Sequence, residues 1–411
     1  MNKPIIRLSL LDSFSCWGGE CPDDCCHGWN IHLDRETREK WCKLDDRQLS
    51  QELLSSVAVI NDEGRPTEII KQTETHECIH LNQQGLCRIQ LSLGHACLPQ
   101  TCQDYPRARV ESEKRILYSA HLSCPSLLRQ LVLLEDGAEL FIRETTAEAP
   151  LPPEGGAALN IQMVATRLEE MTAQLMAENR FPLSSRLYYL AMVLSNLASL
   201  AGKDALDEKS LRKVCKTTSA GLQKQLNDIS KAVTNRRVKV NKMSAGRFWK
   251  YVFTSCRALQ EESFAAKFTA SPLVSMLKET SASNDEHSSI KVYNGIASLR
   301  REVAGKHGSL LEKLLHRYLM VKFVNHGFPW YPFNNNFNAT FLDCLVPFFQ
   351  INLLIWCRYQ QAGRINQEEI ETIIYKVEKK LAHNTLILQT LNKEPWLLEM
   401  EKYSAGWLDL P

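Results

Sequence analysis

Net charge of one sign is almost absent from this chain. Its 49 Lys and Arg stand against 47 Asp and Glu, a formal charge of +2, and the two signs are interspersed. Such a balance excludes strong steering toward nucleic acid or an anionic membrane, so no nucleic-acid partner is expected. Long apolar runs are scarce as well. Residues 1–14 carry neither an unbroken apolar stretch nor a small-residue cleavage site, which points to the cytoplasm. The strongest membrane candidate, Phe341 to Cys357, is interrupted by Asp343, Pro347, Gln350 and Asn352; a buried core helix is expected there, with no membrane insertion. Nucleotide and hydrolase signatures are missing too: no G-x-G-x-x-G after a strand, no Walker A loop and no G-x-S-x-G elbow. A Rossmann-type cofactor domain is therefore disfavoured. Nor is there the C-x3-C-x2-C triplet of radical enzymes that use S-adenosylmethionine, because Cys21, Cys25 and Cys26 are spaced differently.

Cysteine is what the chain has in plenty. Of 14 cysteines, ten lie between Cys16 and Cys124. In a reducing cytoplasm, clustered thiols are metal ligands or redox groups before they are disulfides. The first group, Cys16, Cys21, Cys25 and Cys26, has the spacing C-x4-C-x3-C-C. Adjacent cysteines point to different sides unless a turn gathers them, so Cys25 and Cys26 serve one site or two. Cys78, Cys87, Cys97 and Cys102 follow, then Cys124 before Pro125; Cys42 stands aside on a helix. Four thiolates suffice for a structural zinc or a cubane cluster. Nine candidates therefore leave room for two sites, or for one site and several buried thiols. Zinc is the plainer reading, and the Cys124-Pro125 pair modestly favours a cluster. His27, His76, His80, His95 and His121 lie close enough in sequence to substitute as ligands, although surface or hydrogen-bonding roles are the more ordinary ones.

The predicted fold class is mainly α: a loop-rich, cysteine-coordinated N-terminal domain with short strands over 1–143, a linker over 144–157, and an all-α helical domain over 158–411. Within the first, residues 4–15 predict a short strand or extended lead. Asp34 to about Ser56 predicts one helix with Asp34 as N-cap. Asn61, Asp62, Gly64 and Pro66 predict a loop over 60–75. Two extended pieces around an Asn82–Gly85 turn would bring Cys78 near Cys87, one or two helical turns follow over 88–97, and a hairpin over 107–122 delivers Cys124. The Pro- and Gly-rich 144–157 segment, with Gly155 and Gly156, cannot hold regular structure. Beyond it, Leu183, Leu187, Leu190, Leu194 and Leu197 mark one apolar helix face. Further helices are predicted near 161–178, 205–232, 243–268, 287–303, 309–326, 338–361 and 367–391, with an aromatic, proline-bounded loop over 326–337.

Four blocks together resemble a known family: residues 14–29, 78–87, 101–107 with its Cys-x-x-Tyr-Pro ending, and 122–125. In that order they resemble the flagellin lysine-N-methylases of motile enteric bacteria; the first three also resemble small zinc- or iron-chelating domains built on a CysCys pair. The helical part adds residues 318–329. The resemblance implies transfer of a methyl group from S-adenosyl-L-methionine to lysine side chains of flagellin, a protein partner met in the cytoplasm. It further implies Cys16, Cys21, Cys25, Cys26, Cys78, Cys87, Cys102 and Cys124 as ligands of an iron–sulfur cluster, of 4Fe–4S type, with zinc as the alternative metal. Cys97 matches no position of the pattern. A lysine amine, with a reference pKa of about 10.4, must lose a proton before it attacks a sulfonium methyl. Asp23, Asp24, Asp104 and Tyr105 are candidate proton acceptors or orienting groups, Asp104 and Tyr105 being the pair carried as catalytic candidates; turn capping is the plainer role for such aspartates. Trp330, Tyr331 and Phe333 are candidates to pack around a sulfonium or alkylammonium. Two readings compete with the enzyme: a zinc-stapled adaptor that binds a protein partner, and a redox chaperone switched by thiol oxidation.

Overall fold

The structure, a computed structural model, describes residues 5–62, 64–111, 116–136, 138–144, 157–201, 209, 213–215, 219–235, 237–283, 285–329, 336–381 and 393–408. Residues 145–156 of the expected linker and the aromatic residues Trp330, Tyr331 and Phe333 lie outside them.

The chain begins with β1 (Ile5–Leu8) and reaches its first helix at α1 (Arg35–Cys42). Asp34 caps it, its carboxylate accepting from the Thr37 amide at 2.8 Å. The single helix expected to Ser56 is two. Asp46 offers a second strong cap, accepting from the Leu49 amide at 3.0 Å, and α2 (Arg47–Ser55) starts there. The loop expected over 60–75 is instead a hairpin, β2 (Val57–Asp62) with β3 (Arg65–Ile70), registered from Val57 opposite Ile70 to Asp62 opposite Arg65. The polar residues that suggest a loop form only its tip, and Ile69 and Ile70 anchor the other end in the core. Then come α3 (Arg88–Leu93), α4 (Gln100–Asp104), β4 (Arg107–Glu111), β5 (Ile116–Ala120), α5 (Pro125–Leu133) and β6 (Phe141–Glu144). The sheet order is β4-β5-β1-β6, with β1 parallel to β5 and antiparallel to β6.

The remainder is helical: α6 (Ala157–Ala177), α7 (Leu183–Ala201), α8 (Ser219–Thr234), α9 (Lys242–Thr254), α10 (Glu262–Ala265), α11 (Pro272–Ser281), α12 (Glu286–Asn325), α13 (Phe337–Ala362) and α14 (Gln367–Leu381). The five leucines of the α7 stripe are all buried. The helix expected over 243–268 stops at Thr254 and is followed by a 3-10 turn and α10. α11 was not expected; Ser271 followed by Pro272 at its first position is the signal. The two helices expected at 287–303 and 309–326 are one helix of 40 residues. Gly305 and Gly308 cost about 1 kcal/mol each in a helix, but the buried stripe runs on from Ile296 and Val303 to Leu311 and Leu315, and that packing holds the helix through them. α13 is the apolar helix flagged by hydropathy. Its most apolar window is 94% buried inside the protein, which makes it the core helix.

Packing divides the first 143 residues in an unexpected way. A small core of Ile31, Leu33, Trp41, Leu53, Ile70, Ile89 and Leu98 belongs to the cysteine unit alone. Leu8, Leu10, Leu122, Leu127, Leu128 and Leu131 join the large core of the helical body. The sheet and α5 thus carry the cysteine unit on the helices, and the cysteines sit at that junction.

Candidate functional site

Three stretches converge on the thiols: the loop 16–29, the segment 76–105, and the turn 121–126. In the first, the Asp24 carboxylate accepts from the Cys26 amide at 2.9 Å, and Trp29 Nε1 donates to the Cys25 carbonyl at 2.8 Å. This Asx turn gathers the adjacent pair: both thiols are free, face the same cavities and share a hydrogen bond. The second stretch pairs with the first through the Cys78 amide and the Cys26 carbonyl at 2.8 Å. Asn82 closes its turn by accepting from Gln84 and Leu86, each at 2.9 Å, Gly85 takes the positive φ of 72°, and Cys87 is returned beside Cys78 as the N-cap of α3. In the third, Cys124 caps α5, and Ser126 Oγ donates to the Ser15 carbonyl at 2.7 Å, tying the helix start to the first loop.

The eight motif thiols line two adjoining cavities. Cys25, Cys26, Cys78, Cys87 and Cys102 surround an inner, mostly apolar chamber. Cys16, Cys21 and Cys124 line an outer cavity of about 420 Å³, which Cys25, Cys26, Cys87 and Cys102 share. Cys42 and Cys97 line neither; Cys97 packs in the small core, its carbonyl accepting from Trp41 Nε1 at 2.8 Å.

Burial and neighbouring thiols push Cys78 up to about 11 and Cys124 up to about 12. Burial raises Cys102 further. Within the adjacent pair, the bond between the thiols lowers Cys25 and raises Cys26. At neutral pH Cys26, Cys78 and Cys102 are therefore protonated in this chamber, and a bound cation would have to displace those protons. The donor chemistry, soft sulfur in numbers, fits an iron–sulfur cluster or zinc. The positions do not close on a single ion: among the described residues no three His, Cys, Asp or Glu side chains are grouped to hold one.

The other candidates divide. Tyr105 lines both cavities, with its hydroxyl 3.2 Å from Ser123 Oγ and its ring stacked on His121. Burial holds its phenol well above the usual range, so it stays protonated: a donor, not a base. Asp104 is exposed and accepts from Gln100 Nε2 at 2.8 Å on its own helix. Asp24 lines the outer cavity beside its turn-closing role. Asp23 does so too, but its carboxylate is taken by Lys379 at 2.6 Å and Lys376 at 3.4 Å. Among the histidines, His80 lines the inner chamber and is bonded to Ser56 at 2.8 Å. Burial lowers it to about 4, so it is neutral. His95 lines the outer cavity, while His27 lies 3.6 Å from Glu77. His76 adopts a positive φ at the turn beside them. The sequence offered no sign of Lys376 and Lys379, or of the aromatic lining by Phe14, Trp17 and Trp29.

Residues 169–405, more than half of the chain, match the family model described as FliB lysine N-methylase C-terminal domain. The Lysine-N-methylase of Salmonella typhimurium is 29% identical over 164 residues, covering 38% of this chain and 40% of that protein. The Flagellar biosynthetic protein FliU of Salmonella muenchen is 30% identical over 129 residues, 31% of this chain and 76% of that protein. The matched stretch thus spans about two fifths of the curated lysine N-methylases. No solved structure matches the chain. The family model covers the helical body and leaves the thiol-bearing stretches outside it, and by that match the chain belongs to the FliB lysine N-methylase C-terminal domain family.

Proposed function

We propose that this protein is a lysine N-methyltransferase that moves a methyl group from S-adenosylmethionine to lysine ε-amines of flagellin in the cytoplasm, with an iron–sulfur cluster in the thiol-lined cavities. The observation that carries it is the convergence of eight thiols from separate segments on two joined cavities, seated on a helical body of the lysine N-methylase family. Cys25, Cys26, Cys78, Cys87 and Cys102 would hold the group from the inner side, and Cys16, Cys21 and Cys124 from the outer. A bound cluster supplies iron as a redox or Lewis-acid centre.

The chain's own residues account for the rest. The target amine must arrive neutral, and an apolar, water-poor cavity lowers an ammonium pKa by desolvation. Asp24 is the carboxylate at the outer cavity left to receive the proton, because Asp23 is held by two lysines and Asp104 is turned to solvent. Phe14, Trp17, Trp29 and Tyr105 supply π faces for a sulfonium or methylammonium. In the transfer the nitrogen–methyl bond forms as the sulfur–methyl bond breaks, and the nitrogen gives up its proton. The test is incubation of folded, metal-loaded protein with S-adenosylmethionine and flagellin, followed by peptide mass spectrometry. Lysine peptides heavier by one or more methyl substitutions are expected; unmodified flagellin refutes the reading.

The small private core of the cysteine unit favours a second reading, in which zinc completes that fold and the protein is an adaptor. A colourless preparation carrying zinc without sulfide, inactive on flagellin, would establish it; a brown one with acid-labile sulfide counts against it.

A further inference from the structure

We infer that α14 is the positioning element of the thiol cavities, with Asp23 and Glu371 as the residues through which it sets the first cysteine loop against the helix that starts at Cys124. Asp23 sits between Cys21 and Cys25 in sequence, and its side chain is only 9% exposed. Its Oδ1 accepts from Lys379 at 2.6 Å and from the Asp24 amide at 2.8 Å, while Oδ2 faces Lys376 at 3.4 Å. Lys379 also donates to the Asp24 carbonyl at 2.8 Å, so one ammonium grips both residues before the CysCys pair. Lys376 is braced on its other side by Glu261 at 3.4 Å.

Two turns earlier on α14, Glu371 is 8% exposed and accepts from Arg129 Nε at 2.6 Å, with Gln367 Nε2 on its other oxygen at 2.9 Å. Arg129 belongs to α5, the helix capped by Cys124. Glu371, Tyr375 and Lys379 fall at i, i+4 and i+8, one helical face. The two grips are about 12 Å apart along the axis, so α14 holds both cysteine-bearing segments at a fixed separation. The loop 16–26 has almost no core of its own: Cys26 alone of its residues packs against the small cluster, and none is buried there. The cations are more exposed than the carboxylates, Lys379 18% and Arg129 35%, so removing a cation strands a nearly buried carboxylate, and a loop without a core has little else to hold its shape.

This rests on the assignment of the thiol cavities as the functional site, but the experiment does not depend on methylation. Full-length, chelator-treated and reduced Asp23→Asn, Lys379→Met and Glu371→Gln proteins are pulsed with an alkylating agent, and modification at each cysteine is followed by peptide mass spectrometry. Asp23→Asn and Lys379→Met are expected to speed alkylation of Cys21, Cys25 and Cys26 by about tenfold and to leave the exposed Cys16, and Cys78, Cys87 and Cys102, within about twofold. Glu371→Gln is expected to act on Cys124. Lys379→Arg, which keeps a cation and donors for the Asp23 carboxylate and the Asp24 carbonyl, should retain slow labelling. Unchanged rates overturn the inference. So does a uniform rise at every thiol with a lower melting temperature, since that is the signature of general destabilisation. Selective labelling in a protein that fails to methylate flagellin would leave the positioning role standing and refute only the proposed reaction.

Discussion

Replacing Glu378 with glutamine should destabilise the helical body by about 3 kcal/mol while leaving its shape intact. Lys322 on α12 and Glu378 on α14 are 7% and 6% exposed, with Nζ 3.2 Å from Oε2. The other oxygen accepts from Tyr318, also on α12, at 2.5 Å. At an effective dielectric of about 20 the pair attracts by about 5 kcal/mol, offset by the desolvation of both groups. The amide keeps the volume and a hydrogen bond to Tyr318, but strands the Lys322 charge; removing one partner of a buried pair costs about 3–5 kcal/mol. Tyr318→Phe removes one charge-assisted hydrogen bond, worth about 1.5–3 kcal/mol. Lys322→Met combined with Glu378→Gln removes both charges while the amide oxygen still accepts from Tyr318, and should recover to within about 1–2 kcal/mol of the parent. Urea unfolding at unchanged slope reads each value. A Glu378→Gln loss under about 1 kcal/mol, or a double variant weaker than the single one, refutes the view that this pair is a stranded-charge liability.

Three further outcomes follow from other sites. His316 is lowered from 6.5 to about 4 by burial and by the nearby Arg186 and Arg317; its folded pKa lies below its unfolded one, so stability is unaffected above pH 6.5 and falls by about 3 kcal/mol as pH drops to 4. His316→Gln should flatten that slope in urea midpoints measured at pH 7 and pH 4, and an unchanged slope contradicts the assignment. A Cβ on Gly246 would lie 1.8 Å from the Ser289 carbonyl oxygen, which is main chain and cannot yield, so Gly246→Ala should force α9 from α12 at a cost of about 3 kcal/mol or more, seen as a lower melting temperature. In the flagellin assay, Asp104→Asn should stay within about twofold of the parent, whereas Tyr105→Phe, which loses the hydroxyl paired with Ser123 on a residue lining both cavities, should drop about tenfold or more.

Much of the helical body was legible because its signals are local. The α7 leucines and the apolar α13 announce buried faces by period and hydropathy alone. Where the reading failed, tertiary packing outweighed a local cue. Gly305 and Gly308 look like a break, yet the apolar stripe keeps its phase across them and α12 runs on. Asn61, Asp62 and Gly64 look like a loop, yet the β-branched residues on either side pair as a hairpin. Asp46 interrupts α1 and α2 because its cap competes with helix continuation, a choice that composition leaves open.

For the site, the cysteine spacings left nine thiols open and the family resemblance singled out eight of them; those eight line the two cavities, and Cys97 lines neither. The adjacent Cys25 and Cys26 point to the same space because of an Asx turn, and aspartate at that position is a legible signal of one. What the sequence cannot show is the far end of the contact. Asp23 reads as an ordinary turn residue, and its partner Lys379 is 356 positions away on a helix whose polar face looks merely solvated. The physical distinction between a turn aspartate and a clamped one is whether a cation is buried against it, and only the fold supplies that cation. The same reasoning joins the family match to the thiols: the matched residues 169–405 contain Glu371, Lys376 and Lys379 but none of the eight motif cysteines. The helical body therefore reaches the thiol cavities through α14, and Lys379→Met is a change inside the family domain whose first effect should appear outside it, at Cys25 and Cys26.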